Sequence, residues 1–201
     1  MMKTLQTIKL PEPWYRSEVS LEEAIQELRS ERRYNDLPLE MNQIGQLCWA
    51  AQGKTSSRGF RSAPSAGALY PLVIIVVSGR VGNLDAGVYH YIPGPHELTS
   101  IFAGDIRAEL SRAALNQQSI RLAPANIIIG ANYEITRSKY RGRAVRYVLM
   151  EAGHVSQNIY LQAVSLGLKT VSIGAFRDDR VKAVLHLKDA IDPLYIMPVG
   201  Q

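Results

Sequence analysis

The stretch that decides the fold is Phe60–Pro71, which reads FRSAPSAGALYP and leads directly into the apolar run Leu72–Val77. Six consecutive apolar residues, most of them β-branched, predict a strand that is buried on both faces. Pro64 and the small residues that follow it leave backbone N–H groups with little side chain in front of them. The stretch therefore predicts either an ordinary tight turn before a core strand or a cradle for a planar cofactor.

This stretch resembles the PSAGALYP signature of the SagB/ThcOx branch of the flavin-dependent nitroreductase family. Three further segments resemble the same family in the same order, and they are Arg29–Tyr34, Glu151–Asn158 and Ser172–Phe176. The resemblance implies a single α+β domain over residues 1–201, with a mixed sheet flanked by helices. It also implies that FMN binds non-covalently at the interface of a homodimer.

The resemblance further implies which residues hold the FMN. Arg29 and Ser30 would bind the phosphate and ribityl end, and Arg32 would lie near the N1/O2 edge of the ring, where a cation stabilises reduced flavin. The faces of the ring would be lined by small or apolar residues, namely Pro64, Ser65, Ala66, Gly67, Ile173, Gly174 and Ala175. Without the resemblance, the arginines could simply cap the first helix, and residues 173–175 could be a plain strand end.

Two departures from the family pattern concern the phosphate contacts. Leu28 stands where relatives often carry arginine, and the sequence ends at Gln201 without the basic residues that many relatives supply there. We expect Arg61 or the basic stretch Arg137–Arg146 to compensate.

Lys139 and Tyr140 are the candidate catalytic residues. They lie in a polar stretch between an expected core strand and the EAGH segment, a setting that is otherwise typical of a surface loop. SagB-like azoline dehydrogenases carry a Lys-Tyr pair at this position, so the resemblance implies that the pair moves a proton while hydride leaves for flavin N5. We expect both residues in the loop before the longest helix.

Other kinds of site have little support in the sequence. Ser65 lacks the glycine two residues earlier that a nucleophile elbow needs, and no dinucleotide-binding or P-loop glycine pattern occurs. Glu151 and His154 form only half of a di-iron motif, so we expect no metal. We interpret Glu151, His154 and Asn158 as a polar network that satisfies itself along a buried helix.

Composition limits the class of protein. The 201 residues are 46% hydrophobic, which suits one domain with a full core. The net charge of +5 is scattered except at Arg137–Arg146, which is either a solvated or an anion-binding loop, so we expect no nucleic acid partner. Cys48 is the only cysteine, which favours a reducing compartment. We found no signal peptide and no membrane segment, and we expect a cytoplasmic protein without a membrane partner.

Hydrophobic periodicity predicts the helices and strands. The expected helices are Leu21–Ser30, Met41–Ala51, Asp105–Asn116, Ala144–Leu166 and Asp178–Leu185. The expected strands are Leu72–Val77, Val88–Ile92, Leu98–Ile101, Asn126–Ala131, Thr170–Phe176 and Leu194–Val199. The apolar stripe of the first helix is Leu21, Ile25 and Leu28. The stripe of the longest helix is Val148, Ala152, Val155, Ile159, Ala163 and Leu166.

Three functions remain open at this point. The first is an FMN-dependent dehydrogenase that oxidises thiazoline or oxazoline rings in a peptide. The second is an NAD(P)H-dependent reductase of nitroaromatics or quinones. The third is a basic binding module without redox chemistry.

Overall fold

The computed structural model describes residues 6–201 and contains seven strands and seven helices within them. Residues 1–5 lie outside the described residues. They are the start of the N-terminal segment in which we found no signal peptide. The strands are β1 (Thr7–Lys9), β2 (Leu72–Ser78), β3 (Gly87–Ile92), β4 (Glu97–Ala103), β5 (Ala125–Ala131), β6 (Lys169–Thr170) and β7 (Asp192–Gly200). The helices are α1 (Leu21–Glu27), α2 (Met41–Gln52), α3 (Arg107–Ala113), α4 (Gln118–Leu122), α5 (Tyr133–Tyr140), α6 (Ala144–Ser165) and α7 (Asp178–Val184).

The strands form one sheet in the order β1-β4-β3-β2-β5-β7-β6. Every pairing between these strands is antiparallel. Within residues 6–201, parallel pairing is limited to two isolated bridges, Ser30 with Thr170 and Leu39 with Val81. The expected α+β class is confirmed, although the sheet is less mixed than we expected.

Helices cover both faces of the sheet. In β2, Ile74 and Val76 pack in a core with α2 and α6, while Ile75 and Val77 pack in a second core with α3, α4 and α7. This alternation follows from the two-residue period of a strand. The prediction that β2 is buried on both faces is therefore confirmed, and the turn before it is attached to a rigid central strand.

Helix α6 crosses one face of the sheet and positions the candidate site. Five residues of its predicted stripe are buried, namely Val148, Ala152, Val155, Ile159 and Ala163. The sixth, Leu166, follows the last residue of the helix and is partly buried. Gly167 follows the helix with a φ of 66°, as expected for a helix end. No helix within residues 6–201 is both long enough and apolar enough to span a membrane.

Helix α1 is shorter than predicted, and its apolar stripe does not face the core. The chain leaves the helix at Leu28, whose ψ of 123° is extended, and continues to the bridge between Ser30 and Thr170. Ala24 is buried, but Leu21 and Ile25 are 60% and 57% exposed. Two of the three residues of the predicted apolar stripe therefore do not pack on the core of this single chain.

Two other elements are interrupted. The helix expected over residues 105–116 stops at Ala113, because Leu115 and Asn116 both take positive φ values, and α4 follows separately. The strand expected over residues 170–176 is reduced to β6 and one bridge between Ile173 and Ile196. It is interrupted where the Ser172 N–H donates to a side chain instead of to a neighbouring strand.

Candidate active site

The turn before β2 contains residues with positive φ values, a backbone conformation that residues other than glycine rarely adopt. Gly67, Ala68 and Tyr70 have φ values of 62°, 54° and 50°, and the last two are not glycines. Such conformations cost energy and persist only where the surroundings hold them. Here the Tyr70 N–H donates to the Ser65 hydroxyl at 2.9 Å, which closes the turn.

The same turn presents backbone donors that the protein does not use. Ala68 and Leu69 donate to carbonyls within the turn, but the N–H groups of Ser65, Ala66 and Gly67 have no acceptor among residues 6–201. Gly67 is exposed. Consecutive free N–H groups in a tight turn form a concave site for an anion or an electron-rich edge.

Lys139 and Tyr140 lie against this turn. They are the last residues of helix α5 and not part of a loop, so that expectation is wrong. Asn132 caps the helix by accepting the Glu134 N–H, and this cap makes the polar stretch helical. A Cβ atom on Gly67 would lie 3.0 Å from the Lys139 Nζ and 2.9 Å from the Tyr140 hydroxyl oxygen.

The two candidate catalytic side chains differ in their freedom. The Tyr140 ring is half-buried and packs edge-to-face on Tyr147, with 5.0 Å between the ring centroids. Lys139 is exposed, and its Nζ lies 5.6 Å from the centre of the Tyr140 ring. A packed phenol group and an exposed ammonium group thus lie next to each other beside the turn.

A buried polar cluster lies beneath the turn. Arg61 donates to the Gln52 Oε1 at 2.9 Å and stacks over the Tyr70 ring at 4.4 Å. Burial raises the pKa of the Glu151 carboxyl to about 7, while Ser65, Gln52 and Arg61 oppose the shift. Arg61 is therefore committed to supporting the turn, and it is poorly placed to replace a phosphate contact.

A second cluster joins two other predicted segments. The hydroxyl groups of Ser30 and Tyr160 are 3.0 Å apart, and the Tyr160 hydroxyl accepts the Ser172 N–H at 2.8 Å. The Ser172 hydroxyl also bonds that of Ser156. The arginine-containing segment and the 172–175 segment are thereby fixed side by side on α6.

Arg29 and Arg32 lie on either side of Ser30 in the sequence. Both are exposed, and neither forms a salt bridge among the described residues. Arg29 donates to the carbonyls of Gln26 and Leu28, so it also caps the end of α1. Arg32 makes one long contact of 3.4 Å to the Ser30 carbonyl. Arg32 is thus the freer cation for a ligand.

The segment 173–175 presents small groups at the surface. Ile173 is 4% exposed and anchors the segment in the core. Gly174 and Ala175 are exposed, and the Ala175 carbonyl accepts the Gln117 side-chain amide at 2.8 Å. The segment therefore presents a surface without large side chains.

The two clusters lie at different levels of α6. Ser65 is near Glu151, and the Lys139–Tyr140 pair lies against the same turn, whereas Ser30 and Ser172 are near Tyr160. Nine helical residues correspond to about 13 Å along the axis. One chain thus brings its predicted site residues into two groups, not one.

The predicted network of Glu151, His154 and Asn158 is only partly formed. Asn158 donates to the carbonyls of Ala50 and Ser62, which ties the turn to α2, but His154 is exposed. The Glu151 Oε1 is buried and has no hydrogen-bond partner among the described residues. No cluster of metal-binding side chains occurs between residues 6 and 201.

Two features of the structure were not predicted from the sequence, a cavity and the side chain that supports the turn from beneath. The cavity, of about 720 Å³, lies between residues 14–24 and the helices α2 and α6, and it contains none of the predicted site residues. The support is Gln52, which no motif marks and which fold contacts alone bring under the turn.

Comparison with known proteins places this fold and site in a class. Residues 25–201 match the nitroreductase family. A Methanocaldococcus jannaschii protein named as a proposed nitroreductase, MJ1384, is 46% identical over 92% of each chain. The chain therefore belongs to the nitroreductase family, whose members are oxidoreductases that typically use a flavin.

Two solved structures share the fold. One, named as a proposed nitroreductase from Anabaena variabilis, has a TM-score of 0.86 and 29% identity, and the match covers 98% of this chain and 42% of that one. The other is the Escherichia coli microcin synthetase McbBCD complex with truncated pro-MccB17 bound. It has a TM-score of 0.74 and 28% identity, with 89% of this chain and 72% of that one covered.

Proposed function

We propose that this chain is an FMN-dependent dehydrogenase that oxidises azoline-type rings in a modified peptide. The observation that carries the proposal is the close approach of the Lys139 and Tyr140 side chains to Gly67, in the turn whose N–H groups at residues 65–67 have no acceptor among residues 6–201. The similarity to a complex that holds truncated pro-MccB17 supports a peptide substrate. The proposed location is the cytoplasm, in keeping with the single, fully buried cysteine Cys48.

The residues present fit an FMN group. The free N–H groups of Ser65, Ala66 and Gly67 suit the polar edge of the ring, and the cations Arg29 and Arg32 with the Ser30 hydroxyl suit a phosphate. The exposed residues Pro64, Gly174 and Ala175 supply small or flat surfaces of the kind that a planar ring needs, and the buried side chain of Ile173 anchors the segment from the core side. When bound, FMN would supply the two-electron acceptor, while Tyr140 and Lys139 would hold and move the substrate proton.

The proposed site is shared between two copies of the chain. The two clusters are separated along α6, and a second copy would bring the turn of one chain to the arginine segment of the other. The exposed surface of α6 carries Val145, Leu149 and Met150, which are 42%, 50% and 48% exposed. Burial of such side chains favours a homodimer, and light scattering should give about twice 22.3 kDa.

A second candidate function is an NAD(P)H-dependent reductase of nitroaromatics or quinones. It is favoured by the 46% identity to a protein named as a proposed nitroreductase. The deciding experiment gives the flavin-loaded protein azoline peptides under oxygen, and nitroaromatics with NADH or NADPH. Ring oxidation without added nicotinamide supports the dehydrogenase. Nicotinamide-dependent nitro reduction alone supports the reductase and overturns the first proposal. Family membership speaks against a binding module without redox chemistry.

A further inference from the structure

Three exposed arginines follow the candidate catalytic pair along the chain, and the proposed reaction does not use them. They are Arg141, Arg143 and Arg146, which form no salt bridge among the described residues and which we call the basic rim. The Cα of Arg141 is about 3.8 Å from that of Tyr140. Arg146 precedes Tyr147, whose ring packs on that of Tyr140. The rim therefore lies beside the pair that contacts the turn.

The segments around the turn contain cations and no acids. Residues 53–71, which form the turn and the approach to it, and residues 135–150, which carry the rim, together contain eight lysines and arginines and no aspartate or glutamate. Two acids border the second segment, but Glu134 pairs with Arg137 and Glu151 is buried. The rim thus keeps its positive charge at the surface, where it attracts anions from solution.

The rim does not stabilise the helix that it precedes. Helix α6 begins at Ala144 with no acidic residue in its first turn and with no side-chain cap from Arg143. The start of a helix carries a partial positive charge, so Arg143 and Arg146 lie at the end where cations are unfavourable. A local arrangement that opposes its own helix is typical of residues that serve a binding site.

We propose that the basic rim binds acidic residues that flank the azoline-type ring in the peptide substrate. The inference rests on the proposed function in that the substrate is a peptide. In the proposed site the FMN phosphate has Arg29 and Arg32, which leaves the rim to the substrate. Carboxylates suit the rim because they accept charge-assisted hydrogen bonds from guanidinium groups. Exposed charge pairs of this kind favour one partner over another and speed association more than they add affinity.

The first test compares two peptides that differ only in charge. One carries glutamates on both sides of a thiazoline ring, and the other carries glutamines in the same places. Fluorescence anisotropy measures how each labelled peptide binds to the protein as purified, at low and at high salt. We expect the glutamate peptide to bind more tightly at low salt, and the preference to shrink at high salt because exposed charges are screened. Equal binding of the two peptides, or no binding of either, overturns the proposal.

The second test uses Arg141→Gln/Arg143→Gln, which removes two charges from the rim. Its matched control is Arg121→Gln/Arg180→Gln, which removes the same charge from exposed positions on α4 and α7. These helices pack on the opposite face of the sheet from α6. The dissociation constant of the glutamate peptide should rise about fivefold in the rim variant alone, and that of the glutamine peptide should not change. An equal rise in the control variant overturns the proposal, because net charge alone would then explain it.

Further measurements separate the proposal from its alternatives. We expect the rim variant to bind FMN as wild type does, and a loss of FMN affinity with an unchanged peptide preference would assign the rim to the cofactor and overturn the proposal. A single-stranded oligonucleotide that displaces the glutamate peptide at a lower concentration than the unlabelled peptide does would overturn it in favour of nucleic acid. Ring oxidation is measured separately. Rim-dependent binding without oxidation contradicts the proposed function alone, and oxidation without a charge preference contradicts this inference alone.

Discussion

The ammonium group of Lys139 lies so close to Gly67 that a methyl group there would stand 3.0 Å from the Nζ. The contact joins the end of α5 to the turn before β2, and it places a proton donor beside Gly67, whose backbone N–H has no acceptor among residues 6–201. Glycine at this position serves two ends, since it permits the positive φ and it leaves room for the Lys139–Tyr140 pair.

Gly67→Ala should therefore impair the site beyond its effect on stability. The φ of 62° makes alanine unfavourable by about 1 kcal/mol, and the new methyl group must displace Lys139 or Tyr140. Gly59→Ala is the matched control, because Gly59 has a φ of 86° but a methyl group there would meet nothing within 4 Å. Thermal unfolding should fall similarly in both variants, while turnover and FMN affinity should fall only in Gly67→Ala. Equal function in the two variants would contradict the contact.

Lys139→Ala and Tyr140→Phe should separate chemistry from folding. Lys139 is exposed and Tyr140→Phe keeps the ring that packs on Tyr147, so melting temperature and flavin content should stay nearly unchanged. Substrate turnover should fall about 100-fold or more if the pair moves a proton. Flavin reduction by an artificial donor should survive, and Arg180→Ala, which removes an exposed cation outside the proposed site, should leave all activities intact. Equal loss of both activities, or loss of neither, would remove the pair from the mechanism.

Arg32→Ala should weaken FMN binding. Among the described residues, its guanidinium makes one hydrogen bond, of 3.4 Å to the Ser30 carbonyl, which leaves it available to a charged ligand. Loss of one charge-assisted contact costs about 1.5 to 3 kcal/mol, so the dissociation constant should rise at least roughly tenfold. Arg33→Ala is the control for a general loss of charge. If both variants bind FMN as wild type does, Arg32 has no role in the cradle.

Stability should depend on pH through Glu151. Its pKa is raised from an ordinary value of 4.5 to about 7, so between these values the folded chain holds a proton that the unfolded chain has lost. The free energy of unfolding should thus fall by about 3 kcal/mol in all as the pH rises through this window, and this contribution should not change above it. Urea unfolding of wild type and Glu151→Gln at pH 5, 6, 7 and 8 measures the difference. The same fall in both proteins would exclude Glu151 as its source.

The sequence predicted the elements whose signals are local. The apolar run of β2 and the apolar stripe of α6 each predict a buried surface from neighbouring residues alone. Both predictions of burial are confirmed. The stripe of α1 was misleading, because an apolar face at Leu21 and Ile25 does not say whether its partner lies in the same chain. The helical state of Lys139 had a signal that we did not use, the capping residue Asn132.

The support beneath the turn could not be predicted in this way. Gln52, Arg61 and Glu151 come from three separate parts of the chain, and only the packing of α2 against α6 brings them together. The motif that contains Glu151 was evident in the sequence. Its burial without a complete set of partners is a property of the folded chain.

The identity of the bound cofactor tests the central claim most directly. The protein is purified, its visible absorbance is recorded, and the chromophore is released by heat and identified by chromatography, with reconstitution by excess FMN if the preparation is colourless. We predict flavin absorbance and FMN as the released chromophore, since the proposed site has one phosphate clamp and no evident place for an adenosine group. Recovery of FAD, or no binding after reconstitution with FMN, would contradict it.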